Sequence, residues 1–430
     1  MLRFGLDFGT SNSALAVRDD GQARLLPLDP VAGAVMPTML YVRRDGSALV
    51  GQPAIDAYLA DNAARGPIRR RFKLLDVLVP STDKEQPVVR AHILTDLDAP
   101  GRLFQSLKTF LGDPLVGKTN VFGEAQGLEE LIAAIFARVR DRAFELTGER
   151  PREITLGRPV RFVGDDGGVE ARAVERLRGA ADLAGFREIR FGLEPVAAAH
   201  AAEVSRGVTI VFDFGGGTLD LCVARRDGSG MRVLATAGAD VGGDRFTELL
   251  IEEYISPRLG AGSLPAFITN AIHDWHALSA LNEKDLLDAL DDLVRAGGPR
   301  RPLTALISAI ELQLGYEIFR VTDDAKIRLS DVPAAVLTYH RGAVDIDARL
   351  SRFRLEQLIG PSLRRIDATL MEALSRAGIS AELVDEVVTT GGSSKIPSVR
   401  ALLQRRFARA TLRDADPFGA VAAGLALLED

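Results

Sequence analysis

The apolar positions of the chain fall into two rhythms. Residues 208–224, VTIVFDFGGGTLDLCVA, form a run rich in β-branched residues, a break of three glycines and a second apolar run with alternating polar positions. That pattern predicts strand, tight turn, strand. The start of the chain repeats it. A strand from Leu2 to Phe8 meets a turn at Gly9 and Thr10, and a strand from Ser13 to Arg18 runs into an Asp-Gly turn and a third strand. The later copy likewise turns at Asp227-Gly228 and continues from Met231 to Thr236. Asp7-Phe8-Gly9-Thr10 matches Asp213-Phe214-Gly215 with Thr218. Two such meanders about 200 residues apart predict two similar lobes facing each other across a cleft.

Between and after the meanders the spacing is helical. Helices are expected from Gly127 to about Leu146, from Val169 to Ala184, after Glu194-Pro195, from Gly243 onward, across residues 305–331 as one long helix, and from Leu355 to Leu374. Short strands are expected at Glu153 to Phe162, before Glu194, and at Glu386 to Thr390. The last strand leads into the turn Gly391-Gly392-Ser393-Ser394 and a helix near Pro397, and a glycine-containing helix ends the chain. Residues 50–105 and 257–302 show no clear period. The alternation of strands with helices predicts an α/β fold. A chain of 430 residues exceeds one ordinary core, which agrees with two lobes.

A net charge of -6 argues against a nucleic-acid binder, which needs a basic footprint. The basic cluster Arg65, Arg69, Arg70, Arg71 and Lys73 reads as a solvated surface. The only cysteine, Cys222, sits in an apolar strand, so no disulfide forms within the chain. With no signal-like start and no apolar run of about 18 residues, a cytoplasmic protein without membrane contact is expected. His273 and His276 lack further nitrogen or sulfur ligands nearby and read as a helix surface.

The chemistry concentrates at the glycine turns. Gly215, Gly216 and Gly217 let a ligand approach bare backbone amides, Thr218 adds a hydroxyl, and Asp213 and Asp220 flank the turn. Such a set suits phosphate oxygens and a hard cation that bridges them. Gly112 to Thr119 satisfies the string of a phosphate-binding P-loop, but Pro114 lies inside it, and Asn120 and Gly123 interrupt the helix that must follow. The string is therefore read as a coincidence.

With these residues in hand, the sequence resembles the actin, sugar kinase and heat-shock ATPase superfamily, and within it the nucleotide-binding domain of DnaK-type chaperones. Five stretches occur in that family's order: DFGTSNS (7–13), LEPVAAA (193–199), FDFGGGTLD (212–220), VTTGGSSKIP (388–397) and FGAVAAG (418–424). SLKTFLG (106–112), LGRPVRF (156–162) and DDAKIRLSD (323–331) look like the short bacterial YegD-type branch.

The resemblance implies two ribonuclease H-like, actin-like lobes around a nucleotide cleft, residues 1–204 completed by 412–430 and residues 205–411. It implies ATP or ADP with Mg²⁺. The catalytic positions are Lys108, Glu194, Asp213, Thr218 and Asp7. Asp7, Glu194 and Asp213 hold the metal largely through water, and Asp220 assists. Gly9, Thr10, Ser11 and Asn12, with Gly215, Gly216, Gly217 and Thr218, contact phosphate. Gly242, Gly243 and Asp244 form the ribose-side turn, while Asp323, Lys326 and Ser330 grip the adenosine. Gly391, Gly392, Ser393 and Lys395 form the adenine-side loop. Asp323 and Lys395 stand where the family usually carries glutamate and arginine, which alters reach and stacking.

The expected activity is a slow, magnesium-dependent ATP hydrolysis that drives a conformational switch and reports to a protein partner or client. The sequence shows no apolar linker and no peptide-binding β domain after the last helix, so the chaperone cycle is not expected to run on this chain alone. A non-hydrolysing nucleotide sensor, an actin-like filament protein and a small-molecule kinase on the same fold are the alternatives.

Overall fold

The computed structural model describes residues 2–65, 72–80, 88–96, 100–162, 168–202, 207–228, 230–416 and 419–428. Two sheets are built on one plan. In the first, β1 (Arg3–Phe8), β2 (Asn12–Asp19) and β3 (Gln22–Leu25) make an antiparallel meander. β4 (Glu153–Arg158) and β5 (Glu188–Leu193) join in parallel on the far side of β1, giving the order β5-β4-β1-β2-β3. The second sheet repeats this order with β6 (Gly207–Phe214), β7 (Leu219–Asp227), β8 (Gly230–Ala239), β9 (Glu386–Thr390) and β10 (Thr411–Asp414), arranged β10-β9-β6-β7-β8. β6 is paired on both sides and buried on both faces, which explains its near-continuous apolar run.

The helices repeat as well. α1 (Leu128–Thr147), α2 (Val169–Leu183) and α3 (Glu194–Ala201) separate and follow the parallel strands of the first sheet. Past α4 (Gly243–Leu250) and α5 (Gly315–Asp331), α6 (Gly360–Ala377), α7 (Pro397–Arg406) and α8 (Ala420–Leu427) do the same in the second. The last helix of each repeat crosses to the other sheet. Ala197, Ala198 and Ala199 of α3 pack with Val211, Cys222, Ala224 and Val388, and Ala422 and Ala426 of α8 pack with Ala14 and Ala16. Small residues are needed for this approach, because a β-carbon on Gly5 of β1 would stand 2.3 Å from the Ala426 amide nitrogen. This is the actin-like α/β fold with two ribonuclease H-like lobes.

A third junction is aromatic. Tyr41 and Tyr58, from the first lobe's strand Met39–Arg43 and helix Gln52–Arg65, pack with Trp275 and Tyr316 of the second lobe. Successive rings meet edge-on, with centroids 5.9 Å apart for Tyr41–Tyr58, 6.4 Å for Tyr58–Tyr316 and 5.3 Å for Trp275–Tyr316.

Several expectations need correction. The long helix over 305–331 is two helices, Arg300–Glu311 and α5, broken at Gln313, whose φ of 56 is left-handed and cannot continue an α-helix. The region 50–105 holds the helix Gln52–Arg65 and the strands Phe72–Pro80, Val88–Asp96 and Gly101–Gln105; residues 257–302 are largely helical. A hairpin, Ala334–Arg341 with Val344–Ser351, was not anticipated. His273 ends one helix and Trp275 opens the next, so the two histidines share no helix face. The side chain of His276 and those of the basic cluster from Arg65 to Lys73 lie outside the described residues.

Candidate functional site

The two glycine turns have one geometry. The Gly9 amide donates to the Asn12 carbonyl at 3.0 Å, and the Gly215 amide donates to the Thr218 carbonyl at 3.1 Å. The turns also touch each other, since a β-carbon on Gly217 would lie 2.7 Å from Thr10 Oγ1. Gly391, at φ +76, brings the third glycine turn against the second: its β-carbon would stand 2.2 Å from the Phe214 carbonyl oxygen, so only glycine fits.

Around the turns lies a group of charges, with Lys108, Glu194 and Asp220 buried and Asp7 and Asp213 half-buried. A single helical turn, Leu107–Phe110, entered through left-handed Ser106, presents Lys108. Its Nζ donates to Glu194 Oε1 at 2.6 Å, and both side chains are buried. Glu194 opens α3 at the end of β5, where a helix-terminal acid would ordinarily face solvent; here it faces Lys108 instead. Asp213 and Asp220 stand directly opposite each other in the β6–β7 register. Like charges at such a pair destabilise a sheet unless something neutralises them.

Burial raises the Asp7 carboxyl to about 7, with repulsion from Glu194 adding to it and Lys108 opposing it. Asp220 also rises to about 7, through burial and Glu194, although it accepts hydrogen bonds from Thr218 and from the Val160 amide at 2.6 Å. Asp213 is raised well above the ordinary carboxylate range, first by burial and then by Glu194, Asp7 and Asp220. Burial pulls Lys108 down, but Glu194 and Asp7 outweigh it and its ammonium is held charged above the usual lysine value. Four acids therefore share one nearby lysine.

This donor set suits a hard cation. The acids do not form a direct cage: among the described residues, the group of three whose ligand atoms lie within 4.8 Å of one another is His340, Asp345 and Asp347 on the exposed hairpin. There Asp345 is already paired with Arg301 and with His340 Nδ1.

A second polar group lies at the start of α4. The amides of Gly243 and Asp244 donate to the carbonyls of Gly215 and Gly216 at 3.1 and 2.9 Å. Lys326 of α5 donates to the Gly243 carbonyl at 2.9 Å, to Thr247 Oγ1 at 3.0 Å and to Asp323 Oδ1 at 2.6 Å. Thr247 Oγ1 also donates to Asp323 at 2.7 Å. Thr247 was missed in the sequence because nothing but its place one turn into α4 marks it. Ser393 Oγ donates to the Gly215 carbonyl at 2.8 Å, joining the third turn to the second. Ser11 Oγ donates to Asp244 Oδ2 at 2.8 Å across the cleft.

The structure thus brings together Asp7, Lys108, Glu194, Asp213, Thr218 and Asp220 as one cluster. It joins Ser11, Gly215, Gly216, Gly242, Gly243, Asp244, Asp323, Lys326 and Ser393 as another. Asn12 enters the first turn through its carbonyl, with its residue exposed. Ser330 lies one turn beyond Lys326, and Gly392 and Lys395 are exposed, the charge of Lys395 acting on Asp414. The P-loop string is excluded by its surroundings. Arg176 binds the carbonyls of Phe110, Leu111, Asp113 and Val116, Arg172 binds that of Gly112, and a strand, Thr119–Val121, follows. A segment that presents carbonyls to arginines does not cradle a phosphate.

Comparison with known proteins agrees with this architecture. The family model described as Hsp70 protein matches residues 109–260 and 315–430. The chain is 27% identical over 434 residues to the chaperone protein HscA homolog of Acidithiobacillus ferrooxidans, covering 100% of this chain and 58% of that protein. It is 28% identical over 433 residues to chaperone protein HscA of Pectobacterium carotovorum subsp. carotovorum, again 100% and 58%. To chaperone protein DnaK of Nitrosopumilus maritimus it is 24% identical over 438 residues, 98% and 55%. The chain spans less than two thirds of the length of these relatives. Repeated lobes, facing glycine turns and this match across most of the sequence make the chain a member of the Hsp70 family.

Proposed function

We propose that the chain binds ATP with Mg²⁺ in the cleft and hydrolyses it slowly, as a conformational switch read by a protein partner. The observation that carries this reading is the meeting of two matched glycine turns over buried acids served by one lysine. We assign the lobes as 1–204 completed by α8 and 205–416, moving the expected boundary at 412 because β10 (Thr411–Asp414) pairs with β9 in the second sheet. Mg²⁺ supplies charge neutralisation across the phosphates when bound. Asp7, Glu194 and Asp213 would hold it through water, and its charge would favour the ionised form of Asp7 and Asp213.

The remaining steps belong to the chain's own groups. Thr10, Thr218 and the glycine turns orient the phosphates. Lys108, fixed by Glu194, points a permanent positive charge at the transferred group, and Asp213 orients the attacking water. Phosphoryl transfer needs positioning and charge stabilisation more than covalent help, so this inventory suffices. Asp323, Lys326, Thr247 and Ser393 line the nucleoside end, with Gly391, Gly392 and Lys395 beyond them.

The test is phosphate release by the purified chain with and without Mg²⁺, compared with Lys108→Ala and Asp213→Asn. Both variants are expected to lose turnover by at least about a hundredfold. Equal turnover in all three would refute the site. Asp213→Asn is also expected to stabilise the ligand-free protein, because it removes one of two facing carboxylates.

A further inference from the structure

The bare surface of Gly216, where the absence of a side chain would let a phosphate approach, is already covered. A β-carbon there would meet Ser11 Oγ at 2.6 Å and the two Asp244 carboxylate oxygens at 2.9 and 3.0 Å. Those covering groups are themselves bonded, Ser11 to Asp244 at 2.8 Å, and they come from opposite lobes. Among the described residues Asp244 forms no direct ion pair: Lys326 acts on it through its charge, while its ammonium bonds the Gly243 carbonyl, Thr247 and Asp323. The amide of Asp244 is tied to the Gly216 carbonyl, so its backbone cannot swing away independently of the glycine turn.

We propose that Asp244 is an internal competitor of the nucleotide's phosphates: its carboxylate occupies the Ser11 hydroxyl over Gly216, latching the lobes without ligand, and a phosphate must take that hydroxyl from it. This rests on the nucleotide reading above and adds a specificity rule to it. A diphosphate or triphosphate that reaches Ser11 pays for breaking the latch, whereas a nucleoside without phosphates does not. Asp244 is therefore a positioning residue that acts through Ser11. Its presence tunes nucleotide affinity downward and favours release.

The test is calorimetric binding of Mg·ADP and of adenosine to the full chain as wild type, Asp244→Asn, Ser11→Ala and the double variant. A hydrogen bond to a charged group is strong enough that Asp244→Asn should raise Mg·ADP affinity by about tenfold. Adenosine, which has no phosphate to contest the Ser11 hydroxyl, should gain clearly less than Mg·ADP does, and an equal gain for both overturns the competition. In the Ser11→Ala background the gain should vanish, because the contested hydroxyl is gone. An unchanged or weakened Mg·ADP affinity in Asp244→Asn overturns the competition, and so does a gain that persists without Ser11. A wild-type chain that binds neither ligand overturns the nucleotide reading itself, and the competition with it. As a measure independent of nucleotide, thermal unfolding of the four ligand-free proteins should show Ser11 and Asp244 to be energetically coupled. Additive effects there would overturn the latch.

Discussion

Gly424 of α8 crosses Ala197 of α3 with no room for a side chain: a β-carbon on Gly424 would lie 1.8 Å from the Ala197 carbonyl oxygen. These are the helices that each repeat sends across to the other's sheet, so at their crossing the two repeats share a close backbone contact. A side chain there forces the helices apart and, with them, the sheets. Gly424→Ala is expected to cost about 1–3 kcal/mol or more, the usual range for overpacking. Gly262→Ala, at a position with nothing within 4 Å of the new β-carbon, should stay within about 0.5 kcal/mol of wild type. Urea unfolding of the two variants checks this, and equal midpoints would show that the crossing is not tight.

The aromatic junction gives a built-in reporter. Trp275 is the chain's single tryptophan and is buried against Tyr316, which meets Tyr58 from the other lobe. Tyr316 lies seven residues before Asp323 on α5, about 10 Å along one face of the helix. The helix α5 therefore connects Asp323, proposed above to line the nucleoside end, directly to the junction. Tyr58→Ala removes an edge-on pair worth about 0.5–1.5 kcal/mol beyond its area. It should shift Trp275 emission to the red and raise its quenching by acrylamide. Unchanged emission would mean that the rings do not hold the lobes together.

The sequence made the repeated frame legible because its signals are local. A β-branched run ended by Asp-Phe-Gly reads as a strand and turn whether or not its partner is known, and so Asp7 and Asp213 could be matched directly. Lys108 carried no such signal. Its short run, SLKTFLG, looks like any surface helix turn, and the burial that matters is created by Glu194, 86 positions away. Thr247 and the Ser11–Asp244 bond were hidden for the same reason, being products of lobe closure. The helix break at Gln313 was missed because glutamine is an ordinary helix former and its left-handed φ is imposed by tertiary context. The hairpin 334–351 was legible and overlooked: AAVLTYHR and VDIDARLS alternate buried and exposed positions throughout, on either side of a glycine at Gly342.

The buried acids predict the direction of a pH effect. Asp7 and Asp220 bind protons in the folded, ligand-free chain up to about pH 7, against 3.8 when unfolded. A raised carboxyl stabilises the fold while protonated and loses that contribution as pH rises through its folded value. The ligand-free midpoint from these groups should therefore fall between about pH 4 and pH 7. On the proposed function, Mg²⁺ with ATP would require the ionised acids, so the rise in midpoint on adding it should grow from pH 6 to pH 8. Asp220→Asn should flatten both trends. Thermal scans in matched ionic strength decide it, and a ligand-free profile of the opposite slope would contradict the buried, uncompensated state of these groups.

Lys108 and Glu194 offer the sharpest separation of structure from chemistry. Each is buried, and each is the other's hydrogen-bonded partner at 2.6 Å. Replacing Lys108 with methionine keeps much of the volume but leaves Glu194 beside Asp7 with no cation, and breaking a buried pair in this way costs about 3–5 kcal/mol. Lys108→Met should therefore be less stable than wild type and inactive. Adding Glu194→Gln removes the stranded charge, so the double variant should recover most of the stability and none of the turnover, since the positive charge aimed at the phosphate is still missing. Unfolding midpoints and phosphate release measured side by side make the comparison. If the double variant regained activity, Lys108 would be acting only as a counter-ion for Glu194; if stability failed to return, the pair would not be the buried unit that its geometry describes.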